Sequence, residues 1–80
     1  MTTIPAKPPA THADVPTEWT DMVRAMIVRD GIAFRPGGGA GPTIELKSLT
    51  TNQWLPLMLP GGGTVFATHE DRNHVLGRLQ

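Results

Sequence analysis

Trp54-Leu55-Pro56-Leu57-Met58-Leu59 runs into Pro60-Gly61-Gly62-Gly63 and then into Thr64-Val65-Phe66-Ala67. Two apolar runs parted by a Gly-rich break predict a β-hairpin. Period-two alternation sets Leu55, Leu57 and Leu59 on one side of its first strand and Trp54 and Met58 on the other. A strand apolar on both faces needs cover on both faces. Pro56 has no backbone donor, which places this strand at a sheet edge or at a bulge.

Toward the N-terminus, Thr43-Ile44-Glu45-Leu46-Lys47 alternates cleanly, with Ile44 and Leu46 inward and Glu45 and Lys47 outward. Thr50-Thr51-Asn52-Gln53 reads as the turn between this strand and the hairpin. Ile32-Ala33-Phe34-Arg35 alternates as well, until the Pro36 to Pro42 stretch breaks it. Further back, Trp19, Met22, Val23, Met26 and Ile27 keep the spacing of one helical face. Pro16-Thr17-Glu18 supplies a helix start with Thr17 as the cap, and Arg29 and Gly31 supply the stop. Toward the C-terminus, Thr68-His69-Glu70-Asp71 is a capping box with Asp in place of Glu. It opens a last helix that ends near Leu79, with Val75, Leu76 and Leu79 on its inner face. The expected fold is α+β: an antiparallel meander of three or four strands flanked by an N-terminal and a C-terminal helix.

Residues 1–15 hold Pro5, Pro8 and Pro9 among Ala and Thr and read as a disordered arm, which leaves 16–80 as one small α+β domain. A core of that size is marginal without staples or a partner. The chain has no cysteine, so no disulfide or thiolate metal site is available. Formal net charge is zero, which argues against a polyanion mimic and against a general nucleic-acid binder. No apolar stretch approaches the length of a membrane helix, and the N-terminus lacks the order of a signal peptide. A cytoplasmic protein is the expectation.

No pattern of catalysis or cofactor binding emerges. Gly37 to Gly41 and Gly61 to Gly63 lie between predicted strands rather than before a helix, and neither loop holds a Lys, so they read as hairpin connections rather than phosphate cradles. His69 and His74 are five apart, which turns them away from one another on a helix. Glu70 and His74 share a face, but two ligands rarely hold an ion. Ser48 is the only serine and lacks the glycines of a nucleophile elbow. No enzyme, no cofactor and no metal are expected.

Three strands followed by a helix, over Thr43 to Gln80, resembles the element order of the AP2-like, arm-type DNA-binding domains of phage integrases. That resemblance implies a basic sheet laid in the major groove; apart from it, Arg24, Arg29, Arg35 and Lys47 offer a modest basic patch elsewhere as candidate nucleic-acid contacts. The chain departs from the pattern where it matters: from Ser48 through Glu70 there is no Lys or Arg, and Asp21, Asp30 and Glu45 interleave with the four cations.

The apolar excess remains. Trp19, Met22, Trp54, Met58 and Phe66 are large side chains of the type that anchors interfaces. They form the expected partner surface, for a protein or for a second copy of this chain. The expected function is binding without catalysis. A small, cysteine-free chain with an arm and no enzyme signature is similar in kind to phage and mobile-element accessory proteins, anti-CRISPR proteins among them, that inhibit a host machine by occupying a surface. A structural subunit of a homo-oligomer is the further alternative.

Overall fold

The computed structural model describes residues 9–80. A single 3-10 turn, His12–Asp14, precedes helix α1, Thr17–Asp30. Strands β1, Phe34–Gly37, β2, Thr43–Lys47, and β3, Trp54–Pro56, follow, and helix α2, His69–Leu79, closes the chain. The fold is the expected α+β arrangement, with three strands in the order β1-β2-β3, all antiparallel.

Local chemistry explains the helix ends. Pro16, not Thr17, stands at the N-cap of α1, where its fixed φ of −63° suits the extended approach and its missing donor costs nothing. Thr17 is the first helical residue, and its carbonyl accepts from the Thr20 hydroxyl at 2.8 Å. Gly31 ends the helix at φ 65°, with its own N–H and that of Ile32 both donating to the Ile27 carbonyl. At α2 Thr68 caps the helix as the sequence predicts, but the reciprocal bond of a capping box, from the Thr68 N–H to Asp71, is replaced by one from its hydroxyl. The Thr68 side chain accepts from the Asp71 N–H at 3.0 Å, and its hydroxyl donates to the Asp71 carboxylate at 2.7 Å.

The sheet register gives both prolines a place. β2 sends alternate backbone groups to opposite sides: the Lys47 N–H donates to Ala33 on the β1 side, while Ile44 accepts from Leu57 and Ser48 donates to Gln53 on the β3 side. Pro36 pairs with Ile44 and Pro56 with Glu45, so each proline turns its nitrogen away from β2, toward the open edge. Pro56 thus marks an edge strand, as its chemistry requires.

The expected second hairpin does not form. β3 ends at Pro56, and Leu59 to Gly63 makes a tight turn in which Gly62 donates to Leu59 and Leu59 to Gly63. Gly61, Gly62 and Gly63 all adopt positive φ. The Thr64-Val65-Phe66-Ala67 run then finds other partners: Ala10 donates to Val65 and accepts from Ala67 in a parallel bridge, and Phe66 donates to Pro42. The boundary drawn at Val15 accordingly falls inside packed structure, because Ala10 is bridged and Val15 is buried. The rest of the arm reading, residues 1–8, lies outside the described residues.

Cross-strand partners share a face. Phe34, Leu46 and Leu55 form one row of the inner face, and Ile44 lies in the next row. Ile44 joins Val23 and Ile27 of α1, Val75 and Leu79 of α2, and Val15, Leu59 and Phe66 in one core. α1 packs on α2, and α2 packs against β1 and β2. Arg72 of α2 is buried and ties the two layers, donating to the carbonyls of Gly37 at 2.9 Å and Thr43 at 3.3 Å. No helix among the described residues is long and apolar enough to cross a membrane.

Candidate functional site

The largest exposed apolar side chains of the sheet layer gather at one place. Leu49 in the β2–β3 turn, Leu55 on β3 and Met58 just beyond it are 64%, 49% and 65% exposed. They surround a shallow cleft of about 390 Å³, floored by Ile32, Leu46 and Leu57, with Lys47 as its one charged lining residue. The turn that holds Leu49 is built locally. Ser48 Oγ accepts from the N–H groups of Thr50 and Thr51 at 3.3 Å, Asn52 donates to the Ser48 carbonyl, and Asn52 takes a positive φ of 60°. Leu55 reaches the cleft because the register sets it opposite Leu46.

Trp54 lies on the other face, beside Lys47 and in the same layer as Arg35 and Glu45. The Arg35 guanidinium sits 4.1 Å over the Trp54 ring centroid, Lys47 Nζ approaches to 5.9 Å, and Arg35 Nε donates to Glu45 at 2.9 Å. The indole is half-buried under this cation, a stacking that stabilises it where it stands.

The expected partner residues therefore separate. Met58 lines the cleft, while Trp54 is on the opposite face of the sheet. Their common face depended on alternation continuing past Pro56, and the ladder stops there. Trp19 is half-buried against the core, and Met22 is exposed on the outer face of α1. Phe66 is 1% exposed and is a core residue, so it offers nothing to a partner; losing the hairpin turned its strand inward. Leu49 and Leu55 are the cleft residues that the sequence reading left out. Leu55 was recoverable from the register, because it opposes Leu46, whereas Leu49 is a lone apolar residue in a polar turn and carries no periodic signal.

The four candidate nucleic-acid contacts are divided as well. Arg24 and Arg29 lie on α1, and Arg35 and Lys47 lie on the outer face of the sheet. Arg29 is paired with Asp30 and Arg35 with Glu45, so much of the positive charge is already met within the chain.

A polar cluster joins the N-terminal segment to α2. Asp71 accepts from the His12 backbone N–H at 3.0 Å, lies 2.6 Å from His12 Nδ1, and takes the Thr68 hydroxyl at 2.7 Å. These bonds, the His12 backbone first, hold the Asp71 carboxyl down at about 2. The His12 ring stacks on His74, with centroids 4.4 Å apart. His69 and Glu70 are exposed, and no group of three His, Asp or Glu side chains among the described residues is placed to hold a metal ion.

No family model, curated protein or solved structure matches this chain.

Proposed function

We propose that this chain is a non-catalytic protein-binding module and that the cleft bounded by Leu49, Leu55 and Met58 receives an apolar side chain of its partner. The observation that carries the reading is the convergence of these three exposed apolar residues on one hollow. Isolated exposed leucines are ordinary, but a cluster of them around a concave surface marks a docking site. Burying an anchor there contributes several kcal/mol, roughly 25 cal/mol per Å² of apolar area, before association costs. Strand addition to β3 is disfavoured, because Pro56 turns toward the open edge without a donor. The partner thus docks through side chains from a helix or a loop. In biological terms the reading remains an accessory protein that inhibits or modulates a host machine by covering one of its surfaces.

The test is selection of binders from a displayed random-peptide library, followed by affinity measurement on charged cleft variants. Selected peptides are expected to share an aliphatic or aromatic anchor, and Leu55→Asp with Met58→Asp is expected to weaken binding at least about 100-fold, the scale of one lost hot spot. Peptides of unrelated composition, or binding indifferent to both substitutions, would remove the cleft from the reading. The same comparison on double-stranded DNA separates the AP2-like alternative: salt-sensitive DNA binding that survives the cleft substitutions and is lost with Lys47→Ala supports that one instead.

A further inference from the structure

The outer face of α1 is a second surface left unpartnered by the described residues, separate from the cleft. Met22 is 62% and Val28 75% exposed there, although the helix's inner positions Thr20, Val23 and Ile27 are buried. Ala25 lies between them and is exposed. At about 100° per residue, Asp21, Met22, Ala25, Val28 and Arg29 fall within about 120° of arc centred on Ala25. A groove runs on each side of the Asp21-Ala25-Arg29 ridge. One is lined by Asp21, Arg24, Ala25, Val28 and Arg29; the other by Met22, Val23, Ala25, Met26 and Arg29.

We infer that this face joins two copies of the chain, with their α1 helices crossing at Ala25 in opposite directions. A ridge spaced at i, i+4 with a groove on either side is the shape that helices use to interlock, and a low residue at the crossing point lets them approach closely. Charge selects both the occupant and the direction. The face is acidic at its N-terminal end, at Asp21, and basic at its C-terminal end, at Arg29. An antiparallel copy brings Asp21 of each chain toward Arg29 of the other, whereas a parallel copy sets Asp21 against Asp21 and Arg29 against Arg29. Positions 21 and 29, and likewise 22 and 28, are symmetric about 25, so one two-fold axis matches both the charged and the apolar pairs. That self-complementarity is what an isologous interface requires. Arg29 is engaged through Nε and Nη2 with Asp30 at 3.0 Å, and its Nη1 has no partner among the described residues, so it is available to a second carboxylate.

Sedimentation equilibrium of the full chain over a concentration series is expected to show a reversible monomer–dimer equilibrium that weakens with salt. Asp21→Arg alone and Arg29→Asp alone each place two like-charged pairs across the axis and should weaken self-association roughly tenfold or more. An equimolar mixture of these two variants restores opposite charges at both pairs and should form a heterodimer. Ala25→Arg, at the crossing point, should abolish dimers, while Leu55→Asp in the cleft should leave them unchanged. Circular dichroism confirms that each variant is folded. A chain that stays monomeric to about 1 mM, well beyond the micromolar range of a specific association, overturns the inference. So do a dimer that ignores the α1 substitutions and a mixture that fails to pair.

Discussion

At the scale of single residues, Asp71 and Trp54 carry opposite lessons. Asp71 caps α2 and also receives His12, so one carboxylate fastens the N-terminal segment to the last helix. Its pKa is about 2 in the folded chain against an ordinary 3.8. A carboxyl with a depressed folded pKa stabilises fully above its unfolded value, and that contribution is lost as pH falls through the folded one. Thermal stability is therefore expected to decline between about pH 4 and pH 2. Asp71→Asn should lower the melting temperature at neutral pH and flatten that acid limb, as followed by circular dichroism melts at several pH values. Asp14 and Asp30, also lowered by Thr11 and by Arg29 respectively, leave a smaller residual slope. An unchanged acid limb in the variant would show that Asp71 does not anchor the segment. Trp54 was legible as a large aromatic, but its half-buried setting and its actual company were not. Arg35 comes from two strands away, and nothing in a one-dimensional reading pairs them. Trp54→Ala removes the ring beneath that cation and should cost about 1 kcal/mol, or roughly 4–8 °C in melting temperature. Because the ring faces away from the cleft, peptide affinity should not change. A loss of affinity comparable to that of Leu55→Asp would return Trp54 to the docking surface.

At the scale of elements, what was legible is what local chemistry determines. Gly31 stops α1, Thr68 and Asp71 start α2, and the alternation of Thr43 to Lys47 makes β2, all from neighbours within a few positions. The hairpin after Trp54 failed for the opposite reason. Thr64 to Ala67 has strand composition, but its backbone partners are Ala10 and Pro42, far off in the chain and themselves without a strand signal. The candidate site suffered accordingly, since alternation carried past Pro56 put Trp54 with Met58 and moved Phe66 outward. Proline placement, by contrast, was informative. Pro36 and Pro56 occupy outward-facing positions of the two edge strands, where they keep a short sheet from adding strands of other chains. Pro56→Thr restores a donor on the β3 edge. Stability should fall by only about 0.4–1 kcal/mol, through the greater freedom of the unfolded chain. Aggregation on standing should rise, as read by light scattering. If the variant remains as dispersed as the parent, Pro56 does not guard the edge.

At the scale of the whole molecule, the core is small and draws on every part of the described chain. Ile44 from the sheet, Val23 and Ile27 from α1, Val75 and Leu79 from α2, and Leu59 and Phe66 from the connecting segments meet in one cluster, and Val15 belongs to it. The stretch from Ala10 to Val15 therefore acts as a strap. Ala10 bonds to Val65 and Ala67 on either side of buried Phe66, His12 bonds to Asp71, and Val15 fills the core next to α1. Removing it exposes Val15's share of apolar surface, about 1.5–3 kcal/mol. Two backbone bonds and the His12 bonds to Asp71 go with it, each worth about 1 kcal/mol net. Against a total of about 5–15 kcal/mol for a domain, and the lower end for one this small, that is a large fraction. A chain beginning at Pro16 is thus expected to melt at least about 15 °C below the full chain, with a broadened transition by circular dichroism. Val15→Ala in the full chain should reproduce part of the loss, about 1–2 kcal/mol. A chain from Pro16 that melts within a few degrees of the full protein would show that the strap lies on the domain without holding it together.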